Sequence, residues 1–95
     1  MKFAAIIDYA QDKAKIAEIR PTHRQYLAGL KAKGQLAASG PFTDDGGALI
    51  IYEASSKEEA EGLLKGDPFC AAGVFVQWQL RPWNPVIANR TLFPE

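Results

Sequence analysis

The period of the hydrophobic pattern switches repeatedly along this chain, and the order of the switches leaves few folds open. Lys2 to Tyr9 is a short apolar run with Phe, Ile and Tyr, the signature of a buried strand. From Asp12 to Lys33 the spacing turns helical: Ile16, Ile19, His23, Tyr26, Leu27 and Leu30 recur every three or four residues along one face. Pro21 falls inside this stretch. A proline is comfortable in the first turn of a helix and costly in its interior, so the sequence predicts a short helical piece, a break near Arg20, then the main helix. Gly34 is placed to end it. Gln35 to Phe42 reads as a second strand with an irregular end at Ser39-Gly40-Pro41, and Thr43 to Gly47 as a hairpin loop dense in turn formers. Ala48 to Glu53 is a third strand. Ser56 and Glu59 have capping-box spacing and open a helix through Ala60, Leu63 and Leu64 to Gly66. Asp67-Pro68 has the form of a cap and first residue of one more short turn. Val74 to Leu80 alternates, with Val74, Val76, Trp78 and Leu80 expected on one face and Phe75, Gln77, Gln79 and Arg81 on the other. Residues 83–95 show little periodicity and read as an extended C-terminal arm.

The order is β-α-β-β-α-β, an α+β ferredoxin-like sandwich, and 95 residues fit one domain spanning 1–95. Both helices of such a fold pack on one sheet face and leave the other bare. Yet the strands are apolar on both faces: Ile6 stands beside Ile7, and Leu49 and Ile51 beside Ile50 and Tyr52. An uncovered apolar face of that size calls for a partner. A domain this small is marginal alone, and its one cysteine, Cys70, excludes an internal disulfide. A homodimer is the expected support and the reducing cytoplasm the expected home.

Charge argues against several partners. Eleven Lys and Arg balance eleven Asp and Glu, neither sign gathers into a run, and no basic stripe invites nucleic acid. Phe3 to Ile7 is too short for a signal-peptide core, and no apolar stretch is long enough to span a membrane. One His and one Cys do not supply the usual ligands of zinc. Gly46-Gly47 sits in a hairpin, not in a phosphate-cradling turn between a strand and a helix. The expectation is therefore no metal and no cofactor.

Several stretches carry a resemblance. They are Arg20-Pro21-Thr22-His23 with Tyr26-Leu27, then Ala38-Ser39-Gly40-Pro41 and Gly47-Ala48-Leu49-Ile50-Ile51. Asp67-Pro68-Phe69, Ala72-Gly73-Val74 and Arg81-Pro82-Trp83 complete the set. In this order and spacing the chain resembles the YCII-related family over nearly its whole length. The resemblance implies a dimeric α/β barrel of the ferredoxin-like kind, in a superfamily that includes muconolactone isomerase-like enzymes and some haem proteins. It also implies a catalytic His and Asp, which fall on His23 and Asp67. One branch resembles a dehydrochlorinase of chlorinated hydroxyquinols.

Read as residues, the candidates keep two faces. His23, the only histidine, is either a general acid/base at the edge of a pocket or a packed ring bonded to a nearby carbonyl. Asp67 is a good N-cap before Pro68, and a capped carboxylate is also rigid enough to orient an imidazole. If the pair works together, the two side chains lie within about 3.2 Å or bridge through one water. Ser39 is a candidate for binding a substrate oxygen, Arg20 and Arg81 for a carboxylate or phenolate, and Trp83 for a pocket mouth. Cys70 reads as a small buried hydrophobe. The function expected is a cofactor-free enzyme acting on a small oxygenated ring by elimination or isomerisation. The alternatives are a small-molecule binding or sensing dimer, and a structural dimer with no pocket.

Overall fold

The computed structural model describes residues 1–94. Four strands form one antiparallel sheet: β1 (Lys2–Tyr9), β2 (Leu36–Pro41), β3 (Gly47–Glu53) and β4 (Phe75–Trp83), in the order β2-β3-β1-β4. Between them run α1 (Lys13–Ala32), α2 (Lys57–Lys65) and the short α3 (Pro68–Ala71), and a single 3-10 turn follows at Arg90–Leu92. This is the ferredoxin-like α+β sandwich.

The strand register explains which residues the helices cover. Ile7 lies opposite Ala48 and Trp78, Ala5 opposite Ile50 and Leu80, and Phe3 opposite Tyr52. These residues share one face and belong, Trp78 at its edge, to one hydrophobic cluster with Ile16, Leu27, Leu30, Leu64 and Phe69. The other face carries Ala4 and Ile6 opposite Ile51 and Leu49; Ile6 and Leu49 are exposed there, while Ile51 is buried. Gly47 is required where β3 begins, because a Cβ there would overlap the Ile7 carbonyl oxygen. Gly34 closes α1 at φ +74°, a left-handed conformation that a side chain would strain.

Three local readings are corrected. The helix does not break near Arg20: α1 is continuous with Pro21 inside it, and His23 sits at mid-helix. Ile16, His23, Leu27 and Leu30 are buried on both sides of the proline, so packing holds the two halves to one sheet face. Pro21 and Ala17, whose carbonyl loses its usual partner, both face water, which satisfies that oxygen.

Val74–Leu80 does not alternate as read. A bulge opposite Asp8 and Tyr9 shifts the register, placing Phe75 opposite Tyr9 while Gln77 stays opposite Asp8. Phe75 is then 5 % exposed and Val76 58 %, the reverse of the simple alternation. The strand also continues through Pro82 to Trp83. β4 is an edge strand, and its free side tolerates a proline that lacks an N–H.

Candidate functional site

One cap and one helical stripe bring the site together. Asp67 is the N-cap of α3 and accepts from the Phe69 N–H at 2.9 Å. That bond fixes a carboxylate which is fully buried, and a buried carboxylate is tolerated only when its lone pairs are used. Opposite stands His23, 6 % exposed on α1. Its Nδ1 lies 2.7 Å from Asp67 Oδ1 and 2.8 Å from Oδ2. A carboxylate only accepts, so Nδ1 carries the proton, and in the neutral ring Nε2 is the nitrogen with the free lone pair. The ring is further fixed by stacking on Phe69, centroids 4.0 Å apart at 10°, with Phe75 edge-on at 6.2 Å. Imidazole position, tautomer and tilt are thus all set by neighbours.

Among the described residues His23 Nε2 has no hydrogen-bond partner. Among the described residues the one sealed side-chain polar atom without a hydrogen bond is Tyr52 Oη, so Nε2 keeps access to the space beside it. That space is a cavity of about 280 Å³ between α1 and the β2 side of the sheet. Its wall includes Leu27, Ile50 and Pro41 as apolar surface, with His23, Tyr9, Arg24 and Ser39 as polar groups.

Tyr9 and Arg24 were not singled out from sequence. Tyr9 ends an apolar strand and reads as core, while Arg24 follows His23 on an exposed turn of the helix. The signal for Tyr9 was its hydroxyl, which a buried strand end must aim somewhere. The Tyr9 phenol is pushed up to about 12, chiefly by burial and partly opposed by the positive field of Arg20. It therefore stays an O–H donor through the neutral range.

The remaining candidates separate. Ser39 lines the cavity, because its position opposite Ile50 turns it toward the helices. Arg20 forms an ion pair with Asp45 at 2.7 Å, tying α1 to the hairpin loop beside Tyr9. Arg81 and Trp83 do not reach this cavity. They lie opposite Ala4 and Lys2, on the sheet face turned away from His23, and Trp83 lines a separate groove with Met1, Glu53 and Pro85. Cys70 is half-buried against the core. No group of three His, Cys, Asp or Glu converges among the described residues, and no helix among them is long and apolar enough to cross a membrane.

The same arrangement of sequence is found in known proteins. Protein YciI of Escherichia coli and that of Shigella flexneri are each 35 % identical over 92 residues, covering 82 % of this chain and 94 % of theirs. Among solved structures, the 5-chloro-2-hydroxyhydroquinone dehydrochlorinase of Burkholderia phenoliruptrix, held in complex with 2,5-dihydroxybenzoquinone, is similar in fold. It matches with a TM-score of 0.77 at 28 % identity, over 88 % of this chain and 94 % of that one. The sequence profile of the YCII-related domain spans residues 1–84, from β1 through β4, and takes in both His23 and Asp67. With four-fifths of the sequence aligned to Protein YciI and the whole sandwich inside that profile, the chain belongs to the YCII-related family.

Proposed function

We propose that this protein is a cofactor-free acid/base enzyme acting on a small oxygenated ring, working as a homodimer through its open sheet face. The observation that carries the reading is the His23–Asp67 pair: a buried carboxylate holds Nδ1–H, and Nε2 faces a cavity. The lone pair on Nε2 takes a proton from the substrate, and Asp67 stabilises the imidazolium that results. Returning that proton to another atom of the ring completes an isomerisation. In an elimination, the electrons of the broken C–H or O–H bond form the new double bond while the leaving group departs with its own pair. Tyr9 O–H, Ser39 O–H and the Arg24 guanidinium hold the substrate oxygens.

Cavity size supports a single ring. A cavity of about 150 Å³ accommodates benzene, and this one measures about 280 Å³, room for a ring with its oxygen substituents. The dehydrochlorinase of similar fold was solved with a dihydroxybenzoquinone, which supports the same class of ligand here.

Chlorinated hydroxyquinols and small enolisable cyclic ketones are the substrates to assay, by halide release and by isomer formation. His23→Gln is expected to lower turnover by about 10²- to 10⁴-fold while ligand-induced thermal stabilisation persists. Asp67→Asn should keep the cap on Phe69 N–H but face Nδ1 with an amide donor, moving the ring proton to Nε2. Turnover then falls while the melting temperature holds. Ligand binding without turnover in the unmodified protein would replace this reading with a binding or sensing dimer.

A further inference from the structure

The segment after β4 is rooted on its own chain and then leaves it. Asn84 and Pro85 line the groove beside Trp83, and Pro85 is half-buried. From there Val86 is 80 % and Ile87 92 % exposed, and Leu92 and Phe93 also face solvent. The segment is nonetheless shaped: Asn89 caps the 3-10 turn, its side chain accepting from Thr91 N–H and from the Thr91 hydroxyl. A preset turn that displays Leu92 and Phe93 to water, with Val86 and Ile87 beside it, is an apolar surface without a partner in its own fold.

The same chain has a second such surface. Ile6, Leu49 and Trp83 are exposed on the open sheet face or at its edge, in rows that also carry Lys2, Gln79 and Arg81. Four strands about 4.8 Å apart and about 23 Å long give that face an area of roughly 450 Å² in plan. A stable interface buries about 800 Å² of accessible surface on each partner, and an arm reaching past the sheet edge adds to what the face offers. Each copy thus carries both an uncovered face and an uncovered arm. A two-fold pair satisfies both sets at once and closes at two copies.

We propose that the arm, Val86 to Phe93, is a clasp that docks on a second copy of this chain at the rim of the open sheet face. This rests on the dimer proposed above and adds the element that makes it stable. The arm also lies beyond residue 84, where the match to the family profile ends.

The test is sedimentation across a dilution series of three proteins: the full chain, a chain ending at Asn84, and the full chain with Ile87→Asp and Leu92→Asp. Both substituted residues are exposed in one copy, so the fold, followed by circular dichroism, should be unaffected. The full chain is expected to be dimeric at micromolar concentration, and both variants should raise the dimer dissociation constant by about 30-fold or more. A dimer equally tight in all three overturns the clasp and leaves the sheet-face dimer standing. A monomeric full chain overturns the dimer and the clasp together. Variants that lower the melting temperature of the monomer without moving the dissociation constant put the arm on its own chain, and the clasp fails.

Discussion

The two faces of the sheet are built from alternate residues of the same strands and do different work. Ile7 is fully buried under the helices, and Ile6, one residue earlier, is 41 % exposed on the opposite face. The helix face is closed by its own chain: α1, α2 and α3 cover Phe3, Ala5, Ile50 and Tyr52. One gap remains in it, and that gap is the cavity before His23. A sealed surround is what lets a buried carboxylate and one imidazole hold a fixed geometry, since water there would compete for every hydrogen bond. The open face mixes Ile6, Leu49 and Ile51 with Lys2, Gln79 and Arg81, and association is the use proposed for it above. Apolar surface alone does not mark function; what closes over it does.

The largest expected effect tests that division directly. Ile7→Ala should cost about 2–5 kcal/mol of folding stability, because the cavity it leaves lies in packed core. Ile6→Ala should cost under about 1 kcal/mol when measured by urea unfolding of dilute monomer. Its effect should appear in the dimer dissociation constant instead. Equal losses in dilute protein would show that something in the single chain covers the open face, and the comparison would break.

Much of this division was legible in the sequence, because periodicity reports faces. Alternation put Ile6 and Ile7 on opposite sides, and the spacing of His23 with Leu27 and Leu30 put it on the core side of α1. Asp67-Pro68 announced a capped turn, and capping is a local matter. What sequence could not show was set by tertiary contacts. Pro21 argued for a break, yet α1 runs through it because both halves are anchored on the same sheet face. A bulge of one residue exchanged Phe75 and Val76, and nothing local in Val74–Leu80 marks it. Arg81 read as a partner for a carboxylate or phenolate and Trp83 as the rim of a pocket, on residue type alone. Their register with Ala4 and Lys2 turns them to the open face, a fact that only pairing reveals. Tyr9 went unnoticed for the opposite reason: a phenol at the end of an apolar strand looks like core until the cavity at its hydroxyl is seen.

Alkaline titration sharpens the comparison next. All three tyrosines of the chain lie on the helix side, Tyr9 and Tyr52 on the sheet and Tyr26 on α1. Burial is the main cause that raises each phenol, that of Tyr9 to about 12. A raised pKa means that the folded state favours the neutral phenol. Its contribution to stability is complete below the ordinary value of about 10 and is lost as pH rises. For Tyr9 the loss runs through about 12. Ultraviolet phenolate absorbance should therefore show no titration centred at the ordinary value while the fold persists. The signal should appear near the raised values or with unfolding. A phenol ionising at the ordinary value in folded protein would mean that the helix face is open to water.

The smallest effect concerns the one place where the closed face opens. Tyr9 lines the cavity and its hydroxyl makes no side-chain hydrogen bond among the described residues, while its ring packs on Phe69 edge-on at 5.5 Å and on Phe75 stacked at 6.1 Å. Tyr9→Phe keeps that packing and removes only the hydroxyl, so folding stability should stay within about 0.5 kcal/mol. If the phenol holds a substrate oxygen, its loss weakens binding by about 3- to 10-fold, the worth of one hydrogen bond. KM should rise by that factor with kcat nearly unchanged, because the group binds the substrate and its transition state alike. The shift should also be constant across the neutral range, since the phenol remains protonated there. A fall in kcat as deep as that of His23→Gln would instead make Tyr9 the proton donor and His23 its partner. An unchanged KM would place the ligand against Ser39 and Arg24 alone, on the other side of the cavity.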